Sequence, residues 1–100
     1  MHRQTKAVDI PAAVKRRVWE RDNGRCILCG AVDAAPNAHY ISRSHGGLGV
    51  PENIVTLCMD CHDRYDNGAG GVYMRAEIAA YLRACYPGWE EERLVYHKYA

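Results

Sequence analysis

Two pairs of cysteines are the first residues whose spacing points to chemistry. Cys26 with Cys29, and Cys58 with Cys61, have the C-x-x-C spacing at which two thiolates bind one tetrahedral ion, about 2.3 Å from each sulfur. We therefore predict a four-cysteine zinc site. Because four thiolates leave no open coordination position, this zinc is expected to be structural rather than catalytic. The alternative for a C-x-x-C pair is a redox motif.

The size and composition of the chain favour metal binding. A single domain of 100 residues buries only about 60–65% of its unfolded surface, so it commonly needs a metal, a disulfide or a partner. Five cysteines without a secretion signal do not all pair as disulfides. No stretch reaches the roughly 20 apolar residues of a membrane span, and residues 1–10 lack a signal peptide's apolar region. We expect a soluble, cytoplasmic protein with no membrane partner.

The formal net charge is only +1, but the charges are unevenly distributed. Residues 1–30 carry seven basic and three acidic side chains, whereas residues 31–70 carry two basic and five acidic ones. The first region is suited to a polyanion such as nucleic acid, and the second holds carboxylates that can bind a cation.

A second cluster of potential ligands follows the last of the paired cysteines. His62 and Asp66 are four residues apart, and on a helix this spacing places an imidazole and a carboxylate on one face. Such groups bind a hard or borderline divalent cation. The alternative for Asp66 is an exposed helix carboxylate.

These residues and the segment between the cysteine pairs resemble the HNH nuclease family. The resemblance covers about residues 14–67 and rests on the four cysteines, the RSHGG loop at 43–47, the NIVTLC strand at 53–58 and the His directly after Cys61. His39, Asn53 and His62 match the three motif positions of the family. The family's fold is a ββα unit that binds a metal ion.

The resemblance implies a metal-dependent DNA endonuclease that hydrolyses phosphodiester bonds, by nicking or by double-strand cleavage. It makes His39 the general base that activates water and Asn53 the residue that holds the loop and so orients this imidazole. It makes His62 a ligand of a single Mg²⁺ or Mn²⁺ that stabilises the leaving oxygen. A phage terminase is a candidate partner by the same resemblance.

Two arginines are candidate contacts to the DNA backbone. Arg43, four residues after His39, can bind a phosphate with its planar fork, or instead form an ion pair that stabilises the loop. Arg64, on the side of its helix away from His62, is the second candidate. His45, in the Gly-rich loop, is expected to be an exposed loop residue rather than a substrate contact.

Ala38 departs from the family pattern, because many members have Asp or His there as a metal ligand. Asp66 falls where another His often stands, and as a hard ligand it favours Mg²⁺ or Mn²⁺ over Zn²⁺. The alternative function is a catalytically impaired, zinc-stapled nucleic-acid-binding module or a partner-dependent accessory nuclease. A third interpretation is a protein-interaction adaptor that docks through its C-terminal helix.

Local patterns predict the elements that position these residues. Helices are predicted from Pro11 to Asp22 and after Cys58 up to the break at Asn67-Gly68, and strands at residues 37–42 and 53–57. A last helix over residues 74–85 has one apolar face, which includes the fifth cysteine as a buried thiol. That face is formed by Met74, Ile78, Tyr81, Leu82 and Cys85.

Together these patterns predict an α+β fold in a single domain over residues 1–100. Its ββα-metal core lies at about residues 23–67 and carries the structural zinc site. An N-terminal helix and a C-terminal amphipathic helix flank the core. Residues 1–9 are expected to be flexible, and residues 72–100 form a helical C-terminal extension.

Overall fold

The computed structural model describes residues 3–97, with side chains from residue 6 onward. Within them the helices and strands follow the order α1 (Arg3–Val8), α2 (Ala12–Arg21), β1 (Ala34–His39), β2 (Ile54–Cys58), α3 (Met59–Asp66) and α4 (Gly71–Cys85). Short 3-10 turns lie at Arg43–His45, Pro51–Asn53 and Glu91–Leu94. In this part of the chain, no helix is long and apolar enough to cross a membrane.

The two strands form an antiparallel sheet, and α3 follows β2 without a loop. The register pairs Ala34 with Cys58 and His39 with Ile54, with a shift between Ala35 and Ala38. The shift is a bulge at residues 36–37, where a proline cannot donate a ladder hydrogen bond. The antiparallel pair of strands, followed directly by α3, confirms the predicted α+β fold with a ββα core.

The first strand lies earlier than the sequence predicts, at Ala34–His39 instead of residues 37–42. Beyond His39 the pairing continues for one bond, because the Tyr40 N–H donates to the Asn53 carbonyl at 2.7 Å. The Asn53 side chain then takes the place of a strand backbone, accepting from the Ile41 N–H at 2.8 Å and donating to the Ile41 carbonyl at 3.1 Å. A carboxamide thus ends the backbone ladder.

Replacing Asn53 by Ala is expected to lower the free energy of unfolding by about 3 kcal/mol, since several polar backbone groups lose their partner. Asn53 is fully buried and also donates to the Leu48 carbonyl at 2.9 Å, so it fixes both ends of the loop at residues 41–48. Urea unfolding would measure the change. Asn37→Ala, at an exposed position of β1, is the matched control and should change stability by less than about 0.5 kcal/mol.

Helix α4 packs its apolar face on the sheet, as the sequence predicts. Ile78 and Leu82 are fully buried, Met74 is 8% exposed, and Cys85 is half-buried rather than buried. These helix residues and the sheet form the core of Cys26, Ala38, Tyr40, Val55, Leu57, Cys58, Cys61, Met74, Ile78, Ala79, Leu82 and Leu94. The face that an adaptor would use for docking is therefore occupied by the protein's own sheet.

Helix α2 is attached through a network that the sequence does not predict. Arg21 donates to both oxygens of Asp22, at 2.7 and 3.0 Å, and to the backbone carbonyls of Pro51 and Ile54 at 2.8 and 2.7 Å. Asp22, 6% exposed, in turn accepts from the Thr56 N–H at 2.9 Å. This arginine of the basic region is thus structural.

Both ends of the described chain contain short helical segments. Residues 1–9, predicted to be flexible and without pattern, include the helix α1 at Arg3–Val8, and Val8 at its end is 4% exposed. Residues 1 and 2 lie outside the described residues. In the C-terminal extension, helix gives way after Cys85 to the turn Glu91–Leu94, and residues 95–97 are not helical. Residues 98–100 are also outside the described residues.

Candidate active site and metal centre

The four paired cysteines come together at one end of the sheet. Their Sγ atoms all lie within 4.8 Å of one another, and those of Cys29 and Cys58 are 3.6 Å apart. A tetrahedral ion bound at 2.3 Å from each sulfur requires sulfur–sulfur distances of about 3.8 Å. The cysteines are therefore arranged to hold one metal ion, as predicted.

Backbone hydrogen bonds hold the two cysteine pairs in place. The Ile27 N–H donates to the Thr56 carbonyl at 3.0 Å, which ties the first pair to β2, and the Cys61 N–H donates to the Cys58 Sγ at 3.4 Å. Burial by itself raises the pKa of the Cys26 thiol, but hydrogen bonds from the backbone of Cys58 and neighbouring residues lower this pKa to about 7, whereas burial and the neighbouring thiols raise the pKa of Cys61. Cys26 is thus the cysteine whose thiolate, the metal-binding form, is accessible near neutral pH.

An open groove of about 1420 Å³ lies between the end of β1, the 41–45 loop, α3 and the start of α4. His39, His62 and Asp66 all line it. The structure therefore brings together, from two separate elements, three of the residues that the sequence singles out. Asn53 lies beneath the groove, where it fixes the loop that forms one wall.

His39 is 9% exposed, and its Nε2 donates to the backbone carbonyl of Val8 at 2.8 Å. A carbonyl only accepts, so Nε2 carries the proton when the ring is neutral, and Nδ1 is left as the acceptor. Burial lowers the pKa of His39 below its ordinary value, partly opposed by the hydrogen bond to Val8, and the charge of Arg43 lowers the pKa further. At pH 7 the imidazole is neutral and can take a proton.

His62 and Asp66 share one face of α3, with His62 Nε2 and an Asp66 carboxylate oxygen 3.1 Å apart. Both reach solvent, their side chains being 30% and 58% exposed. Ala38, at the position before His39, is 1% exposed and packs in the core. Among residues 6–97 the four cysteines alone form a close cluster of three or more potential ligands, so the groove offers a cation two side chains.

The two predicted phosphate contacts lie in different places. Arg43 lines the groove and forms an ion pair with Asp9 at 2.6 Å, which is the alternative that the sequence leaves open. Arg64 lies 4.0 Å from Asp60 on the outer face of α3 and is not among the residues that line the groove. Its contact with DNA stays a prediction. His45 is exposed, as expected, and its Nδ1 lies 2.6 Å from the Ser42 Oγ.

Sequence reasoning missed other groups at the groove. Lys15 of α2 and Arg75 of α4 line it, and both add positive charge. Only Lys15 could have been suspected from the sequence, because it lies in the basic region of residues 1–30. The contribution of Val8 had no signal, because it comes from a backbone carbonyl that any residue possesses.

Comparison with known proteins agrees with this arrangement. Residues 26–68 match the HNH endonuclease family, a range that contains all four paired cysteines, His39, Asn53, His62 and Asp66. No solved structure gives a significant match.

A curated relative matches about half of the chain. Anaredoxin of Nostoc sp. (strain PCC 7120) is 33% identical over 55 residues, which are 54% of this chain and 72% of the relative. The matched segment, the arrangement of the four cysteines and the match to this relative together show that the chain belongs to the HNH endonuclease family.

Proposed function

We propose that the protein is a metal-dependent endonuclease that hydrolyses phosphodiester bonds of DNA. The observation that carries the proposal is the groove in which a buried, neutral histidine, His39, lies with the exposed pair His62 and Asp66. A general base with a pKa near or below the working pH, next to ligands for a hard cation, is the set of groups that phosphodiester hydrolysis needs.

Each residue has a distinct task in this proposal. His39 accepts a proton from the attacking water at Nδ1, while Nε2 stays bonded to the Val8 carbonyl. Asn53 holds the 41–48 loop, so the groove keeps its shape. Lys15 offers positive charge to the phosphates of the strand, and Arg43 does so where a phosphate replaces Asp9 as its partner. The resemblance to the family implies that the reaction leaves a 5′-phosphate and a 3′-hydroxyl end.

His62 and Asp66 would hold the divalent cation, which we propose is Mg²⁺ or Mn²⁺, since a carboxylate and an imidazole suit these ions. Such a cation supplies positive charge that stabilises the scissile phosphate and the leaving oxygen. The four cysteines would hold a structural Zn²⁺, because a closed set of thiolates suits that ion and leaves no position for substrate.

The second candidate is a nucleic-acid-binding module without catalysis, and one observation favours it. Ala38 is buried in the core, so the groove lacks the ligand that the family pattern places at this position. A site with two protein ligands binds its cation more weakly unless water or substrate phosphate completes the coordination. The two candidates differ in cleavage and not in binding.

Supercoiled plasmid distinguishes the candidates. The zinc-loaded chain is incubated with plasmid in Mg²⁺, in Mn²⁺, and in a chelator dose that leaves the structural zinc in place. Relaxed or linear product that depends on added metal supports the endonuclease. A gel shift without product contradicts it and supports the binding module, whereas neither binding nor cleavage supports an accessory nuclease that needs a partner such as a terminase.

Asp66→Ala is expected to weaken Mn²⁺ binding to the groove on the order of 100-fold, because loss of a direct ligand should cost at least as much as loss of its supporting hydrogen bonds. Titration calorimetry of the zinc-loaded protein would measure it. Asp63→Ala removes the same charge from an exposed position of α3 that does not line the groove, and should leave the affinity unchanged. Equal effects of the two variants would exclude Asp66 as a ligand.

A further inference from the structure

The segment at residues 7–10 precedes the matched family domain but lies against its groove. The Ala7 carbonyl accepts from the Gly49 N–H at 2.9 Å, and the Val8 carbonyl accepts from His39 Nε2 at 2.8 Å. Asp9 then pairs with Arg43 at 2.6 Å. Val8 and Asp9 thus contact the strand and the loop that form the groove, and Ala7 is bonded to Gly49 just after that loop.

The fit of this segment depends on the absence of a side chain at position 49. A Cβ atom on Gly49 would lie 1.9 Å from the Asp9 carbonyl oxygen and 3.1 Å from the Ile10 Cα. These atoms are backbone and cannot rotate away. The Val8 side chain is also 4% exposed, so the segment is packed in place from two sides.

We propose that residues 7–10 are a positioning element of the active site, with the Val8 carbonyl orienting the imidazole of His39. The proposal rests on the proposed function, in which His39 is the general base. The segment holds the proton on Nε2, so that Nδ1 is the nitrogen with a free lone pair. Among the described residues Nδ1 has no hydrogen-bond partner, and His39 lines the groove.

The physical reason is that an imidazole has no fixed tautomer of its own. In a neutral ring either nitrogen can carry the proton, and the hydrogen bond made by one nitrogen decides the state of the other. Burial removes water as an alternative partner for Nε2, since His39 is 9% exposed. Without the Val8 carbonyl the ring would populate both tautomers and rotate, and a base misplaced by about 1 Å can cost on the order of 100-fold in rate.

The Asp9–Arg43 ion pair plays a lesser part. Its side chains are 52% (Arg43) and 46% (Asp9) exposed, and exposed pairs of this kind contribute little to stability. The backbone contacts at Ala7 and Val8 therefore carry the positioning. A variant that removes the Asp9–Arg43 ion pair but leaves these backbone contacts is therefore a control on the same segment.

The test uses the full zinc-loaded chain and the variant Gly49→Ala, which displaces the segment without changing a residue of the proposed catalytic set. Nitrogen-15 NMR of labelled histidine gives the tautomer of His39 directly. We expect a single Nε2–H tautomer in the wild type and a mixture in Gly49→Ala, together with a turnover rate lower by on the order of 100-fold and an unchanged KM for DNA. Asp9→Asn, which leaves the backbone in place, should retain the single tautomer.

The outcomes separate this proposal from the proposed function. If Gly49→Ala keeps the single Nε2–H tautomer, or if the wild type carries the proton on Nδ1, the positioning role is wrong. If Gly49→Ala does not fold, Val8→Ala loosens the segment by removing its buried side chain, and an unmixed tautomer there also overturns the proposal. If the wild type has the fixed tautomer but cleaves no DNA, the positioning role stands and the proposed endonuclease function is wrong.

Discussion

Cys26→Ser is expected to leave the chain without a cooperative unfolding transition at 25 °C. Structural zinc contributes on the order of 10–16 kcal/mol in zinc-finger peptides, whereas a whole domain has a stability of about 5–15 kcal/mol. Cys26 is 2% exposed and its Sγ lies within 4.8 Å of those of the other three ligands, so loss of this thiolate opens the metal site at its buried side. The remaining core of a two-stranded sheet and short helices does not replace that contribution.

Circular dichroism during heating and metal analysis of the purified protein would measure this effect. The wild type should contain one zinc ion per chain and melt in a single transition, and chelation should reproduce the effect of the substitution. Cys85→Ser is the matched control, because Cys85 is half-buried and lies outside the metal cluster. A Cys26→Ser protein that melts like Cys85→Ser would show that the fold does not depend on a metal.

His39→Gln is expected to lower the cleavage rate by about 10²- to 10⁴-fold, the usual contribution of a general base. The amide nitrogen of Gln can still donate to the Val8 carbonyl, so this variant retains the hydrogen bond that anchors residues 7–10, but its amide cannot take a proton from water. His39→Ala loses both functions and should also lower the melting temperature. Comparison of the two variants separates the base from its packing.

Plasmid relaxation and thermal melting of both variants, each loaded with zinc, give the measurements. A Gln variant that cleaves at the wild-type rate would exclude His39 as the base. A Gln variant that melts far below the wild type would instead assign His39 a structural role. Gel-shift affinity for DNA should be unchanged in both cases, since His39 is almost completely buried.

The pH dependence of the wild type has a defined direction. Burial lowers the pKa of His39 below its ordinary value near 6.5, so the base stays neutral at pH 7 and the rate falls only as the pH drops through this lowered pKa. The free energy of unfolding changes with pH in the same direction. Below about pH 6.5 the unfolded chain binds a proton that folded His39 does not, so acid destabilises the fold.

Features that depend on neighbouring residues in the chain could be predicted from the sequence. The C-x-x-C spacing determines which thiolates share an ion, and the 3.6-residue period determines which face of α4 is apolar. For the same reason His62 and Asp66 could be placed on one helical face. The family resemblance added His39 and Asn53, which no local pattern distinguishes from packed residues.

Features that depend on backbone groups and on distant contacts were decided by the tertiary structure. The backbone ladder of β1 ends where the carboxamide of Asn53 replaces a strand backbone. Arg21 is structural because it donates to the Ile54 carbonyl and to the Tyr86 hydroxyl, which lie on two distant segments of the chain. The tautomer of His39 is set by the carbonyl of Val8, 31 residues earlier in the chain. Every residue has a backbone carbonyl, so the amino-acid sequence does not show which carbonyl comes within hydrogen-bonding distance of an imidazole.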